Sequence, residues 1–251
     1  MSLHYNPSKT ITLRQAKPTN SPLNAVSLTQ ANKQRICQIV NVFETGQKQG
    51  EYHALAVHAD GKQGSQQISY GRSQVTEQGH LITLLKLYCD QQGRWAEQLQ
   101  PYLQQIQRHP LHQDTHFKQY LVKAGKHDPI MRQCQDQLFD RYYWQPAYHW
   151  AKREGFKLAL SQLVIYDSYI HSGHILAFLR KRFAATTPTQ QGNEREWISQ
   201  YTQTRHAWLS GHSNPLLRTS SYRTLCLQQL ITQNNWHLDQ LPITAHGVTI
   251  N

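Results

Sequence analysis

Residues 43 to 71 read FETGQKQGEYHALAVHADGKQGSQQISYG. Glu44 ends a run in which Ile36, Ile39, Val40 and Phe43 recur at helical spacing. Ser27 and Thr29 are the N-cap candidates for that helix, and Gly46 is its natural C-terminal stop. A carboxylate in the last turn opposes the helix macrodipole, which favours cations there, so Glu44 calls for a role other than helix stabilisation. Tyr52 to Val57 then alternates as a strand, Asp60-Gly61 signals a turn, and Gln66 to Arg72 returns as the partner strand. The hairpin so formed carries a second carboxylate, Asp60, and a hydroxyl, Ser69.

Beyond Thr76 the periodicity is helical over 80–91, 95–107, 130–153, 157–182, 194–209 and 219–233, with a loop at 184–193. One short hairpin among many helices gives an α+β, mainly α class, and no internal repeat is present. Residues 1–26, rich in Pro, Asn, Ser, Thr and Lys, read as an N-terminal tail or linker, and 27–251 as one folded domain. With 251 residues and 38% hydrophobic content the chain can bury one core, or two lobes around a cleft. The formal charge of +11 favours a polyanionic partner, although the Lys and Arg residues are dispersed and no nucleic-acid module is recognisable, which disfavours nucleic acid. The N-terminal segment lacks the apolar core of a signal peptide, and no run approaches the ~20 apolar residues of a membrane span.

Cys37, Cys89, Cys134 and Cys226 are widely spaced with no CxxC pair, which argues against a zinc ribbon; they read as buried thiols, with a disulfide left open. The fifteen histidines include no HExxH, and His171 with His174 lacks a third ligand at recognisable spacing, so neither metal nor cofactor is expected. No GxSxG elbow, phosphate loop or GxGxxG fingerprint is present. The aromatic cluster Tyr142, Tyr143, Trp144, Tyr148 and Trp150 has helical spacing and reads as core.

Further segments extend the pattern begun at Glu44: VIYDSYIHSG at 164–173, EREWISQYTQTRHAWL at 194–209, RTSSYR at 218–223 and LDQLPITAHGVTI at 238–250. In this order, over residues 35–250, the chain resembles the family 46 chitosanases, a branch of the lysozyme superfamily. In that family the second carboxylate opens a compact Asp-Gly-Arg-Gly-Tyr-Thr motif. Here Asp60-Gly61 is followed by a longer KQGSQQ stretch, and Ser69 stands at the Thr-like position. The resemblance implies a lysozyme-like, two-lobed fold with the hairpin beside the catalytic cleft. It further implies an ion network in which Asp167 pairs with Arg205, and Arg218 or Arg223 completes it and orients Glu44. Tyr70 and Arg72 are the candidate substrate contacts.

Glycoside hydrolysis needs one carboxylic acid to protonate the leaving oxygen and a carboxylate on the opposite face to activate water, about 6.5–9.5 Å apart in an inverting enzyme. Glu44 is the candidate acid, Asp60 the candidate base, and Ser69 a hydroxyl able to hold the attacking water. Glu51 and Glu77 remain alternatives for the base. Chitosan is a polycation, whereas this chain carries 26 Lys and Arg against 15 Asp and Glu, so the charge balance points to peptidoglycan. The expected function is therefore a muramidase cutting the MurNAc–GlcNAc β-1,4 bond. A chitosanase is the second reading, and a non-catalytic basic wall-binding or nucleic-acid-binding module the third. The missing signal and the tail suggest a bacterial effector or phage-type lysin. Such a protein would be made in the cytoplasm, act in the periplasm or cell wall, and bring an immunity or inhibitor protein as partner.

Overall fold

The computed structural model describes residues 28–251 apart from Ser73 and Gln107. The tail assigned to 1–26 and the candidate cap Ser27 lie outside the described residues. Helix α1 (Gln30–Thr45) leads into strands β1 (Leu55–His58), β2 (Gln67–Tyr70) and β3 (Val75–Thr76). Next come α2 (Leu81–Asp90), α3 (Ala96–Leu99), α4 (Tyr102–Gln105), α5 (Thr115–His127) and α6 (Pro129–Phe139). A π-helical turn, Asp140–Trp144, passes directly into α7 (Gln145–Arg153). There follow α8 (Ala159–Ser172), α9 (Ala177–Arg180), α10 (Glu194–Ser210), α11 (Pro215–Thr219) and α12 (Tyr222–Thr232). Strands β4 (Ile243–Ala245) and β5 (Val248–Ile250) close the chain as a hairpin.

Two cores divide the molecule into two lobes. Lobe one gathers α1, α7, α8, α10, α12 and the β4–β5 hairpin around Ile39, Phe43, Leu163, Trp197 and Leu227. Lobe two packs the three-stranded antiparallel sheet β1-β2-β3 against α2, α5 and α6 around Ile68, Leu84, Phe117 and Met131. The helical run from Pro129 to Arg153 joins them: Leu138 belongs to the second core and Trp144 to the first. Truncating one of these fully buried leucines to alanine costs about 2–5 kcal/mol.

Local chemistry sets the elements that carry the site. Thr29 and Asn32 form a reciprocal capping box at the start of α1, and Gly46 ends it in the left-handed conformation with its N–H donating to the Val42 carbonyl. Helix α8 is buried on every side from Ala159 to Ser168, which places it inside lobe one rather than on its surface. Asn193 caps α10, and Glu194 on its first turn accepts the N–H groups of Lys157 and Leu158, fixing the entry into α8. At the base of the hairpin Arg72 links the lobes. It pairs with Asp136 of α6, donates to Asn41 of α1 at 3.1 Å, and lies over the Phe139 ring.

The aromatic cluster is core as expected: Trp144 is buried and Tyr143, Tyr148 and Trp150 pack against lobe one, while Tyr142 packs against lobe two. All four cysteines are free thiols. Among the described residues no helix is long and apolar enough to cross a membrane.

Candidate active site

Asp167 projects from the buried helix α8 and is itself completely buried, so its charge requires partners. Arg205 of α10 donates to its Oδ2 at 2.5 Å. Arg223 of α12 donates to its Oδ1 through Nε at 2.9 Å and Nη2 at 2.6 Å. The remaining terminal nitrogen of Arg223, Nη1, reaches Oε1 of Glu44. One planar guanidinium thus bridges a buried carboxylate and a surface one, a geometry that a lysine ammonium does not reproduce. Burial alone would push the Asp167 carboxyl up, but Arg223 and Arg205 outweigh it and hold the group at about 2. Burial pulls Arg223 down, and Asp167 and Glu44 reverse that, so it stays charged.

Glu44 occupies the last turn of α1, where its neighbours Val42 and Phe43 face the core and its own side chain is 42% exposed. Phe43 lies under the Arg223 guanidinium at 5.3 Å and meets Tyr222 edge-on, so the residue before the acid supports the residue that holds it. His171, one turn beyond Asp167, is held down to about 4 by burial and then by Arg205 and Arg223, against an opposing pull from Asp167.

Asp60 belongs to lobe two, at the tip of the β1–β2 hairpin. Residues directly opposite each other share a face of the sheet. Leu55 pairs with Tyr70 and Val57 with Ile68 on one face, of which Leu55, Ile68 and Tyr70 pack into the second core and Val57 is exposed, while Ala56 with Ser69 and His58 with Gln67 form the other. That second face is polar, and its Gln67 donates to Oδ1 of Asp60 at 3.0 Å. The two candidate carboxylates therefore stand on different lobes, as a cleft between lobes requires.

Several expected site residues are placed differently. Tyr70 is not a substrate contact: it lies on the core face of β2 and donates its hydroxyl to the Leu121 carbonyl at 2.6 Å. Arg72 is not free for substrate either, because its guanidinium is bonded to Asp136 and Asn41. Arg218 is outside the network and binds the carbonyls of His212 and Ser213, leaving Arg223 as the residue on Glu44. Glu77 is excluded as a base, since its oxygens accept the backbone N–H groups of Ile68 and Leu111 in a buried position. Glu51 is exposed, 3.9 Å from His53, and stays available. Ser69 lies on the polar face but is only 4% exposed, and the side chain that reaches Asp60 is Gln67. Gln67 was not singled out from sequence; its separation of two from Ser69 on an alternating strand was the signal that placed it on the same face.

A sequence profile of glycosyl hydrolase family 46 matches residues 38–243, from within α1 to β4. The chain belongs to glycosyl hydrolase family 46. It is a glycoside hydrolase. A chitosanase of Bacillus subtilis (strain 168) is 24% identical over 233 residues, covering 86% of this chain and 82% of that protein. The fold is shared with the native chitosanase from Bacillus subtilis MY002, at a TM-score of 0.72 and 21% identity over 90% of this chain and all of the other. It is also shared with a family 46 chitosanase of Gynuella sunshinyii in complex with chitotetraose, at a TM-score of 0.66, 24% identity and 89% and 98% coverage. These findings overturn the muramidase expectation drawn from net charge. Net charge is summed over all 251 residues and does not by itself report the charge of a binding site.

Proposed function

We propose that this protein is a chitosanase that hydrolyses β-1,4 bonds between glucosamine units with inversion at the anomeric carbon. The observation that carries this reading is the family 46 match across residues 38–243, with relatives that are chitosanases. The arrangement at Glu44 supports it. Arg223 occupies Oε1, so the second oxygen of the exposed carboxyl is the one directed to substrate. With that oxygen protonated, Glu44 gives its proton to the glycosidic oxygen as the bond to the anomeric carbon breaks. Asp60, from the other lobe, takes a proton from the water that attacks the opposite face of the sugar. The buried Asp167 and Arg205 fix Arg223, and through it the plane of the Glu44 carboxyl. Carboxylates at these positions also suit a substrate whose every ring carries an ammonium group, since opposite charges within a partly desolvated cleft attract far more strongly than in water.

The test is proton NMR of a fully deacetylated glucosamine hexamer during the first minutes of incubation with purified protein. Release of shorter oligomers whose new reducing ends are initially α supports the proposal. An intact hexamer, or reducing ends that begin as β, contradicts it.

A further inference from the structure

The hairpin tip that bears Asp60 is held by two glutamine side chains whose orientations are fixed by donors that cannot act as acceptors. The backbone N–H of Gln78 donates to Oε1 of Gln67 at 3.1 Å, so the Gln67 amide must present its NH2 group at the other side. That group donates to Oδ1 of Asp60 at 3.0 Å, and Gln67 itself is 5% exposed. The backbone N–H of Lys62, two residues beyond Asp60, donates to Oε1 of Gln78 at 2.8 Å. The Gln78 amide nitrogen therefore faces Ser65, and it donates to the Ser65 hydroxyl at 2.9 Å. Between these groups Gly61 leaves no room for a side chain: a Cβ there would stand 2.6 Å from both Gln78 Nε2 and Ser65 Oγ. Glu77 anchors the source of the relay by continuing the β2–β3 ladder, its N–H donating to the Ile68 carbonyl at 2.8 Å.

We infer that Gln67, locked by Gln78, is a positioning residue for the general base: it holds one oxygen of Asp60 and leaves the other turned to the attacking water. The inference rests on the reading of Asp60 as base. A flexible, exposed tip on a long hairpin loop would otherwise let the carboxylate sample many rotamers, and misplacement by about 1 Å costs on the order of 100-fold in rate. The amide pair gives the tip side-chain bonds in place of the tight turn that a shorter loop would supply.

The experiment is a double-mutant cycle on glucosamine hexamer hydrolysis. Gln67→Glu keeps the length and the bond from the Gln78 N–H but, when ionised, sets a like charge in place of the donor to Asp60, and Gln67→Met removes the amide altogether. Both are expected to lower kcat by about 10–100-fold, with KM changed by less than about threefold. Adding either to Asp60→Asn is expected to leave the rate of Asp60→Asn nearly unchanged, because the group being positioned is already gone. Gln78→Ala, which keeps the backbone donor to Gln67, should lose less than the Gln67 variants. Wild-type kcat in both Gln67 variants, or losses that multiply in the double mutants, would overturn the inference and leave Asp60 as base. Wild-type kcat in Asp60→Asn would instead remove the base reading itself, and the inference with it. A measurement that needs no Gln67 variant accompanies the cycle. The Gln67 side-chain amide resonance should shift in Asp60→Asn and not in Glu44→Gln, and an unmoved resonance contradicts the contact.

Discussion

Asp167 is an ionised side chain on a helix that is buried on every side from Ala159 to Ser168, and its surroundings explain why it is tolerated there. Two guanidiniums neutralise it, and its carboxyl is held at about 2 against roughly 3.9 in an unfolded chain. As pH falls the unfolded state takes up this proton first, so the network's contribution is complete above about pH 5 and is lost as pH drops towards 2. His171 acts in the same direction at higher pH. It stays neutral down to about 4, whereas an unfolded histidine protonates near 6.5, so acidification between those values favours unfolding. Thermal melts should therefore show Tm falling from pH 7 to pH 4, and His171→Gln should flatten that fall; an unchanged slope would refute the assignment. Asp167→Asn leaves buried Arg205 without its counter-charge and Arg223 with Glu44 alone, and should cost about 3–5 kcal/mol in denaturant unfolding. Arg223→Lys should lower kcat by at least about tenfold, since one ammonium cannot hold Asp167 with two bonds and Glu44 with a third. Glu44 stood out in the sequence as a carboxylate ending an apolar helical run, whereas Asp167 and Arg205 were read only through the family resemblance of their segments. Arg218 and Arg223 were not separable there, because five positions apart in a short segment either could face α8. Only the start of α12 at Tyr222, which turns Arg223 inward, decides between them.

The long helices were legible from periodicity and punctuation, α1 above all, with Thr29 and Gly46 at its ends. Where the pattern ran on, the backbone interrupted it. The run expected at 95–107 breaks into α3 and α4 at Pro101, and that at 157–182 ends at Gly173 in the left-handed conformation. The run at 130–153 is continuous but contains the π turn, which hydrophobic spacing does not reveal. The β4–β5 hairpin went unread although His246-Gly247, both at positive φ between Ile-Thr-Ala and Val-Thr-Ile, is a two-residue turn signal. Helix α5 was missed as well, its stripe of Phe117, Leu121 and Ala124 being thin against many polar residues. At the hairpin tip the added KQGSQQ stretch is not slack. Its backbone closes a short turn, with the Gly61 N–H on the Ser65 carbonyl at 2.9 Å. Gly61→Ala should therefore reduce kcat/KM on glucosamine oligomers by about tenfold while lowering stability by only about 1 kcal/mol, because the tip is exposed and lies outside both cores. A loss of stability comparable to a core truncation would show that the tip is part of the fold's foundation rather than part of the site.

The two lobes each have their own core, and they carry the two candidate carboxylates separately: Glu44 on α1 and Asp60 on the loop between β1 and β2. Arg72 ties the lobes at the base of the hairpin, which is why a residue expected to meet substrate is instead committed to the protein. The substrate was the least legible property in the sequence. A net charge of +11 is a property of the entire surface and acts at long range, where salt screens it within about 8–10 Å. Recognition of a sugar takes place at contact distance, where, under the proposed function, Glu44, Asp60 and their immediate neighbours dominate. The central claim is that Glu44, held by Arg223, is the proton donor of a chitosan-cleaving site. It is tested most directly by measuring initial rates of glucosamine hexamer cleavage for the wild-type protein and Glu44→Gln, with Tm recorded for both. The account predicts shorter glucosamine oligomers from the wild type, a loss of at least about 100-fold in Glu44→Gln, and a closely similar Tm. Cleavage by Glu44→Gln at the wild-type rate, or an intact hexamer with the wild type, would contradict it.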